Sequence, residues 1–466
     1  MADRAGSGER LVAIGNGMAA TRLVEELVVR DVPGLDITVV GDEPGPSYNR
    51  ILLSAVLEGT HPEDQLALQE DDFHRRHGIT LLTGARVGEV DRDARQVVLE
   101  DGRRLPYDRL VLATGSVPTL PPVRGLVLPE GRLHPKVHAF RSLADCRGLD
   151  RAVPGARRAV VIGGGLLGLQ VTRALGMRGL EVDLVEGTSH LLSSQLGERA
   201  GAVLRASLVR LGAEVYTHTR AVRITDEGVR LDNGFTLSAD LVVLAAGGRP
   251  ATALSKRAGL FVRRGVVVDA QLRSVTDERV HAIGDCAEHG GRTPGFVPPA
   301  WEQAEVLARV LAGEDARYDG SRVVARLRAT GLDVAVMGDP EHAQGESVEV
   351  ANPVTGTYRK LVVRGGVVEA AAMVGDLSRV GLLTQLFDRR TVLGPDEPAR
   401  LLMPDAPAAL EPLPDDAEVC ACAGVSAGAV RACPDLATAV ARTRATTGCG
   451  GCTAAVCALL GETELV

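Results

Sequence analysis

The chain carries one nucleotide-binding signature twice, and few architectures accommodate that. "RLVAIGNGMAATRLVEELV" runs from a short apolar strand into Gly15-x-Gly17-x-x-Ala20 and on into a helical pattern; "DITVVGDE" follows as a strand ending in Asp42 and Glu43. This is the order of a dinucleotide-binding strand–helix–strand unit. Gly15 serves the tight turn, Gly17 the close approach of a pyrophosphate, and Ala20 the packing of helix on strand. The helix start offers free N–H groups and the positive end of its dipole to phosphate. About 150 residues later, "RAVVIGGGLLGLQVTRALGMRGLEVDLVEG" repeats the pattern with Gly163, Gly165 and Gly168, and its second strand ends in Glu186. Two such units predict an α/β chain that holds two different dinucleotides.

The acids suggest which ones. Glu186 suits a ribose 2′-hydroxyl and repels a 2′-phosphate, and no Arg or Lys lies between it and Arg199. NADH is therefore expected, with NADPH as the alternative. Smaller turns continue the theme. "YDRLVLATGS" ends a strand at Ala113-Thr114-Gly115, and "ADLVVLAAGGRP" ends another at Gly247-Gly248-Arg249-Pro250. "VHAIGDCAE" puts Gly284-Asp285 after a strand and shortly before the helix-like "PAWEQAEVLARVLAG". Asp285 is placed either to accept from flavin ribityl hydroxyls or to act as a plain N-cap carboxylate.

With 45% hydrophobic residues over 466 positions there is material for several packed domains. A net charge of -8 argues against a nucleic-acid surface. No stretch reads as a membrane span, and the apolar run near the N-terminus, "LVAI", is too short for a signal peptide. A cytoplasmic protein is expected, whose thiols stay reduced.

Four of the eight cysteines form two tight pairs, Cys420/Cys422 and Cys449/Cys452, after the Pro- and acid-rich "MPDAPAALEPLPDDAE". A terminal segment of about fifty residues buries little core, so a metal centre is a reasonable source of stability. Zinc suits four cysteines, although a C-x-C pair is unusual for it. Disulfides are disfavoured by the compartment. Four thiolates also suit a [2Fe–2S] cluster.

Taken in order, GNGMAA, ATG, GGGLLGL, GGRP and AIGD resemble the two-dinucleotide flavoprotein reductases of the glutathione-reductase-like superfamily. Within it, "DITVVGDEPGPSYNRILLS" is similar to the flavoprotein part of assimilatory nitrite reductase large subunits and to electron-transfer subunits of bacterial assimilatory nitrate reductases. The resemblance implies FAD in the first cradle, with contacts from Gly15, Asn16, Gly17, Ala19, Ala20, Asp42 or Glu43, Arg50, Val87, Thr114, Gly115, Gly284 and Asp285. It implies NAD(P)H in the second, with Gly163, Gly165, Leu166, Leu167, Gly168, Glu186 and Gly247. Arg50 reads from its chemistry as an anion partner or a surface charge. Trp301 reads as a neighbour of the flavin ring by resemblance, or as core. No catalytic acid–base residue is expected.

The implied layout is an FAD-binding domain of residues 1–123 and 250–318, interrupted by an NAD(P)H-binding domain of 124–249. An interface-like α+β domain (319–402), a linker (403–417) and a [2Fe–2S] domain (418–466) follow. "VSAGAVRAC" and "TTGCGGCTAAV" resemble the small domain of bacterioferritin-associated ferredoxin, making Cys420, Cys422, Cys449 and Cys452 the metal ligands. The sequence also departs from its relatives. Ser47 to Leu57 holds no redox cysteine, and Ala55 and Gln170 stand where many relatives pair Lys with Glu. Because both charges are absent together, neither is left buried alone. Only 14 residues follow Cys452, so nitrite reduction on this polypeptide itself is not expected. The expectation is an electron-transfer enzyme that passes electrons from NADH through FAD and the cluster to a nitrate reductase catalytic subunit, or to nitrite reductase. The oligomeric state is left open, with a homodimer as one option. The rivals are a reductase for another ferredoxin-like or iron-handling partner, and a redox- or NADH-sensing binding protein.

Overall fold

The computed structural model describes residues 8–293, 295–394, 397–403, 413–448 and 450–461. Two compact units emerge, each discontinuous in sequence.

The first unit comprises residues 1–50, 62–119 and 247–323. Its centre is a five-stranded parallel sheet in the order Val280–Ala282, Arg109–Leu112, Glu9–Ile14, Leu35–Val40, Thr80–Leu82. Leu11, Val12, Ala13 and Ile14 are all buried in succession, which is why the central strand reads as an unbroken apolar run. The helix Met18–Arg30 buries Ala20, Leu23, Val24 and Leu27, spaced to form one face, and packs on the helix Val297–Leu311. A three-stranded antiparallel sheet, Val87–Asp91, Gln96–Leu99 and Arg104–Pro106, flanks this core.

The second unit comprises residues 51–61, 120–246 and 324–466. It repeats the plan. Its parallel sheet runs Glu214–Tyr216, Glu181–Val185, Arg158–Ile162, Leu241–Leu244, Val137–Ala139, and again a three-stranded antiparallel sheet accompanies it (Ala221–Thr225, Gly228–Leu231, Thr236–Ser238). The helix Leu53–Glu58 packs on the helix Leu166–Met177, so the elements carrying Ala55 and Gln170 are neighbours. Residues 324–374 form an antiparallel sheet of five strands, covered by the helix Val380–Arg389 through Leu383 and Phe387. Among the described residues of 418–461, a short strand pair and three short helices surround their own small core. Among the described residues, no helix is long and apolar enough to cross a membrane.

Candidate functional site

The first cradle sits where the strand Glu9–Ile14 turns into the helix Met18–Arg30. Gly15 has φ +118°, and a Cβ there would lie 2.1 Å from the Ala113 carbonyl oxygen, so no other residue fits. Gly17 occupies the N-cap without any side-chain capping bond, and the space where its Cβ would stand is open to 4 Å. The helix start thus lacks a side-chain cap and has room beside Gly17, as the approach of a diphosphate requires. Ala20 is fully buried between helix and sheet.

Residues distant in sequence complete this site. The Ala113 N–H donates to the Ile14 carbonyl (2.8 Å), and the Thr114 hydroxyl donates to the Ala251 carbonyl (2.9 Å). Gly115 takes φ +66°. The next residue, Ser116, donates its hydroxyl to the Asp285 carboxylate at 2.6 Å. Gly284 has φ +72°, and a Cβ on it would come within 3.1 Å of the Ala19 methyl. The Gly284 N–H donates to Oε1 of the buried Gln303 at 2.7 Å. Ala19, Thr114, Gly115, Gly284 and Asp285 thus gather around one turn. Ser116 and Gln303 hold that turn and were not singled out from the sequence. Ser116 had a signal, since it directly follows Ala-Thr-Gly; Gln303 had none.

At the end of the strand Leu35–Val40 the two acids diverge. Asp42 is exposed and lies 3.7 Å from Arg86. The Glu43 carboxylate accepts from the Tyr48 hydroxyl (2.8 Å) and pairs with Arg50, whose guanidinium lies 4.8 Å from the Tyr48 ring centre. Burial works against the Arg50 charge, but nearby Tyr48 and Glu43 hold its pKa above the ordinary guanidinium value. The chain leading into Val87 runs alongside, with Ala85 N–H donating to the Gly41 carbonyl at 2.9 Å. Asn16 lies against Gly41, where a Cβ would come within 2.7 Å of it. Trp301 is half-buried on the helix Val297–Leu311, outside the buried core.

The second cradle has the same geometry. Gly163 has φ +116°, and a Cβ would lie 2.5 Å from the Ala245 carbonyl oxygen. Gly165 is an N-cap with no side-chain capping bond and open space before it, and Leu166 and Leu167 begin the helix. A Cβ on Gly168 would meet the Gly163 carbonyl at 1.8 Å, so this third glycine is demanded by helix–strand packing. Gly247 takes φ +86°. Glu186 accepts from Gly164 N–H (2.6 Å), Thr188 N–H (2.7 Å) and the Thr188 hydroxyl (2.9 Å). Gly164 and Thr188 are therefore additional members of the site. Both cradles fit the diphosphate of a dinucleotide on the same two grounds: glycines that no Cβ could replace, and uncapped helix starts with room beside Gly17 and Gly165.

Cys420 and Cys452 are buried and Cys422 is half-buried, all in one cluster with Cys433, Val425 and Val430. The Thr446 N–H donates to the Cys452 sulfur at 3.1 Å, as amides do toward thiolates. Cys449 lies outside the described residues. Among the described residues, no three His, Cys, Asp or Glu side chains converge as a metal site. The donor set is chemically suited to iron or zinc. Cys146, Cys286 and Cys433 instead donate to backbone carbonyls, as structural thiols do, and burial pushes the Cys286 thiol up.

Comparison with known proteins agrees with this geometry. The Rubredoxin NAD+ reductase C-terminal domain profile matches residues 324–391. The chain is 34% identical over 460 residues to "Nitrite reductase [NAD(P)H]" of Bacillus subtilis, covering 95% of this chain and 56% of that protein. It is 33% identical over 458 residues to the "Assimilatory nitrate reductase electron transfer subunit" of the same organism, covering 95% and 58%. The chain thus spans little more than half the length of these relatives. Among solved structures, the covalent putidaredoxin reductase–putidaredoxin complex aligns with a TM-score of 0.76 at 26% identity, covering 84% of this chain and 96% of that one. The profile for Pyridine nucleotide-disulphide oxidoreductase matches residues 9–304, a stretch that contains both cradles, and the chain belongs to that family and is an NAD(P)H oxidoreductase.

Proposed function

We propose that this chain is an electron-transfer flavoprotein that takes electrons from NADH and delivers them, one at a time, to a partner reductase. The favoured partner is an assimilatory nitrate reductase, with nitrite reductase as the alternative. The supporting observation is the pair of equivalent cradles in one chain together with a separate, buried cluster of cysteines. In this reading the first cradle holds FAD through Gly15, Gly17, Thr114, Gly115 and Asp285, and Arg50 meets negative charge on the cofactor. The second holds NADH through Gly163, Gly165, Gly168 and Glu186. Cys420, Cys422 and Cys452, with Cys449, hold a [2Fe–2S] cluster.

Bound there, these groups supply hydride acceptance at the flavin and single-electron exit at the cluster. The chain's own contribution is placement and charge. Uncapped helix starts meet the diphosphates. Asp285, braced by Ser116, offers an acceptor to hydroxyl groups. The amide of Thr446 lends a donor to the Cys452 sulfur, which favours a charged thiolate over a neutral thiol. The parallel to the B. subtilis electron-transfer subunit supports the choice of partner.

The test is an anaerobic preparation analysed for flavin, iron and acid-labile sulfide, then titrated with NADH. The expected result is one flavin and two iron atoms per chain, with flavin bleaching before the brown absorbance does. Cys452→Ser should remove the iron and leave flavin content unchanged. Zinc in place of iron, or a yellow protein without sulfide, would overturn the cluster assignment.

A further inference from the structure

Sequence order alone leaves Glu186 without a basic neighbour, but the fold supplies one. Arg220 stands just before the strand Ala221–Thr225, far along the chain from Glu186, yet its stem lies against Gly187. A Cβ on Gly187 would meet Arg220 Cγ at 3.2 Å, Nε at 3.5 Å and Cδ at 3.8 Å. Gly187 has an ordinary φ, so the missing side chain is explained by the space Arg220 occupies and not by backbone strain. The approach is anchored on both sides. The Thr219 N–H donates to the Glu186 carbonyl (3.1 Å), and the His218 N–H donates to the Thr188 carbonyl (2.8 Å). Arg220 is exposed, and among the described residues no carboxylate pairs with it.

Glu186, meanwhile, already accepts three protein hydrogen bonds, from Gly164 N–H and from the amide and hydroxyl of Thr188. Those donors occupy both of its carboxylate oxygens and fix its orientation. Beside the Glu186 turn, a cavity of about 250 Å³ is lined by His190, Glu198, Arg205 and His218. An unpaired guanidinium held beside the ribose acid is the group that a 2′-phosphate would seek.

We propose that Arg220 is the specificity-determining residue of the second cradle, and that it admits the 2′-phosphate of NADPH alongside the NADH that Glu186 favours. This rests on the assignment of the second cradle to NAD(P)H. The arginine reaches the site from the loop between the strands Glu214–Tyr216 and Ala221–Thr225, so the loop following Glu186 has no need of one. The site is then a dual-specificity one in which acid and base serve the two ligands in turn.

The test compares 5′-AMP with 2′,5′-ADP, which differ only in the 2′-phosphate, by calorimetry on the full chain. The native protein should bind both, and raising the salt concentration should weaken 2′,5′-ADP more. Arg220→Ala should weaken 2′,5′-ADP about tenfold or more and leave 5′-AMP unchanged; Arg220→Lys should fall between. Equal losses for both ligands, or no loss for 2′,5′-ADP, would overturn the role of Arg220. Native protein that binds 5′-AMP but not 2′,5′-ADP would overturn dual specificity while leaving the NADH reading intact. Failure to bind either ligand would remove the cradle assignment itself.

Discussion

The two cradles share a backbone and differ in how they treat charge. Gly15 and Gly163 have φ of +118° and +116°, and each sits directly against a carbonyl of the neighbouring strand, Ala113 or Ala245. Past that point they separate. In the first, Glu43 is paired with Arg50 and Tyr48 a few residues on, leaving exposed Asp42 as the freer acid. In the second, Glu186 folds back on Gly164 and Thr188, and the nearby arginine comes from the loop after another strand. The two turns therefore share their glycine geometry and differ in what surrounds their acids. The likeness extends to the sheet edges: the outermost strands, Val280–Ala282 and Val137–Ala139, both read Val-His-Ala.

The largest expected effect tests the shared part. Gly15→Ala forces a methyl into a carbonyl at a φ that alanine resists, a cost of about 3 kcal/mol or more. Flavin should be absent from the purified variant. Gly163→Ala should carry the same strain yet retain flavin, losing instead its binding of 5′-AMP. Both variants losing the same ligand would break the comparison.

A second contrast uses the paired histidines. Burial pushes His281 down to about 4, while His138 is lowered by burial with Asp145 opposing. The folded state then refuses a proton at His281 that the unfolded chain accepts near its ordinary pKa of about 6.5. Stability is present above that value and falls as the pH drops toward about 4, by at most about 3 kcal/mol. His281→Leu should flatten the acid limb of the Tm against pH curve, and His138→Leu should flatten it less. An unchanged curve for His281→Leu would contradict the burial argument.

Next come the acids. Glu186→Ala should weaken 5′-AMP about tenfold, the loss of one charge-assisted hydrogen bond, with no change in flavin content. The smallest effect belongs to Glu43→Gln. Its pair with Arg50 is partly exposed, so the variant should lose only about 1 kcal/mol, seen as modestly faster flavin release on dilution. A larger loss there than at Glu186 would invert the ranking of the two sites.

Much of this was legible in the chain itself. A glycine motif works through offsets of a few residues, so strand, turn and helix start can be read without knowing what packs against them. The same holds for Gly168, whose neighbour Gly163 is only one helical turn and a half away. The cysteine pairs read by spacing as a ligand set; Cys420, Cys422 and Cys452 share one cluster, and Cys449 lies outside the described residues. Other features had no local signature. Gln303 is one of several polar residues in its helix until Gly284 arrives beside it. The Val-His-Ala repeat is too short to mean anything before the sheets are assembled.

By itself, then, the sequence determined that two phosphate cradles would form, because excluded volume at a positive φ leaves glycine as the sole solution. Only the tertiary structure decided the company each cradle keeps. Ser116 reaches Asp285 across 169 positions, and Arg220 reaches Gly187 from the loop that follows the neighbouring strand Glu214–Tyr216. Such pairings depend on which strands lie side by side. Parallel sheets join strands through long crossovers, so neighbours in space are far apart along the chain.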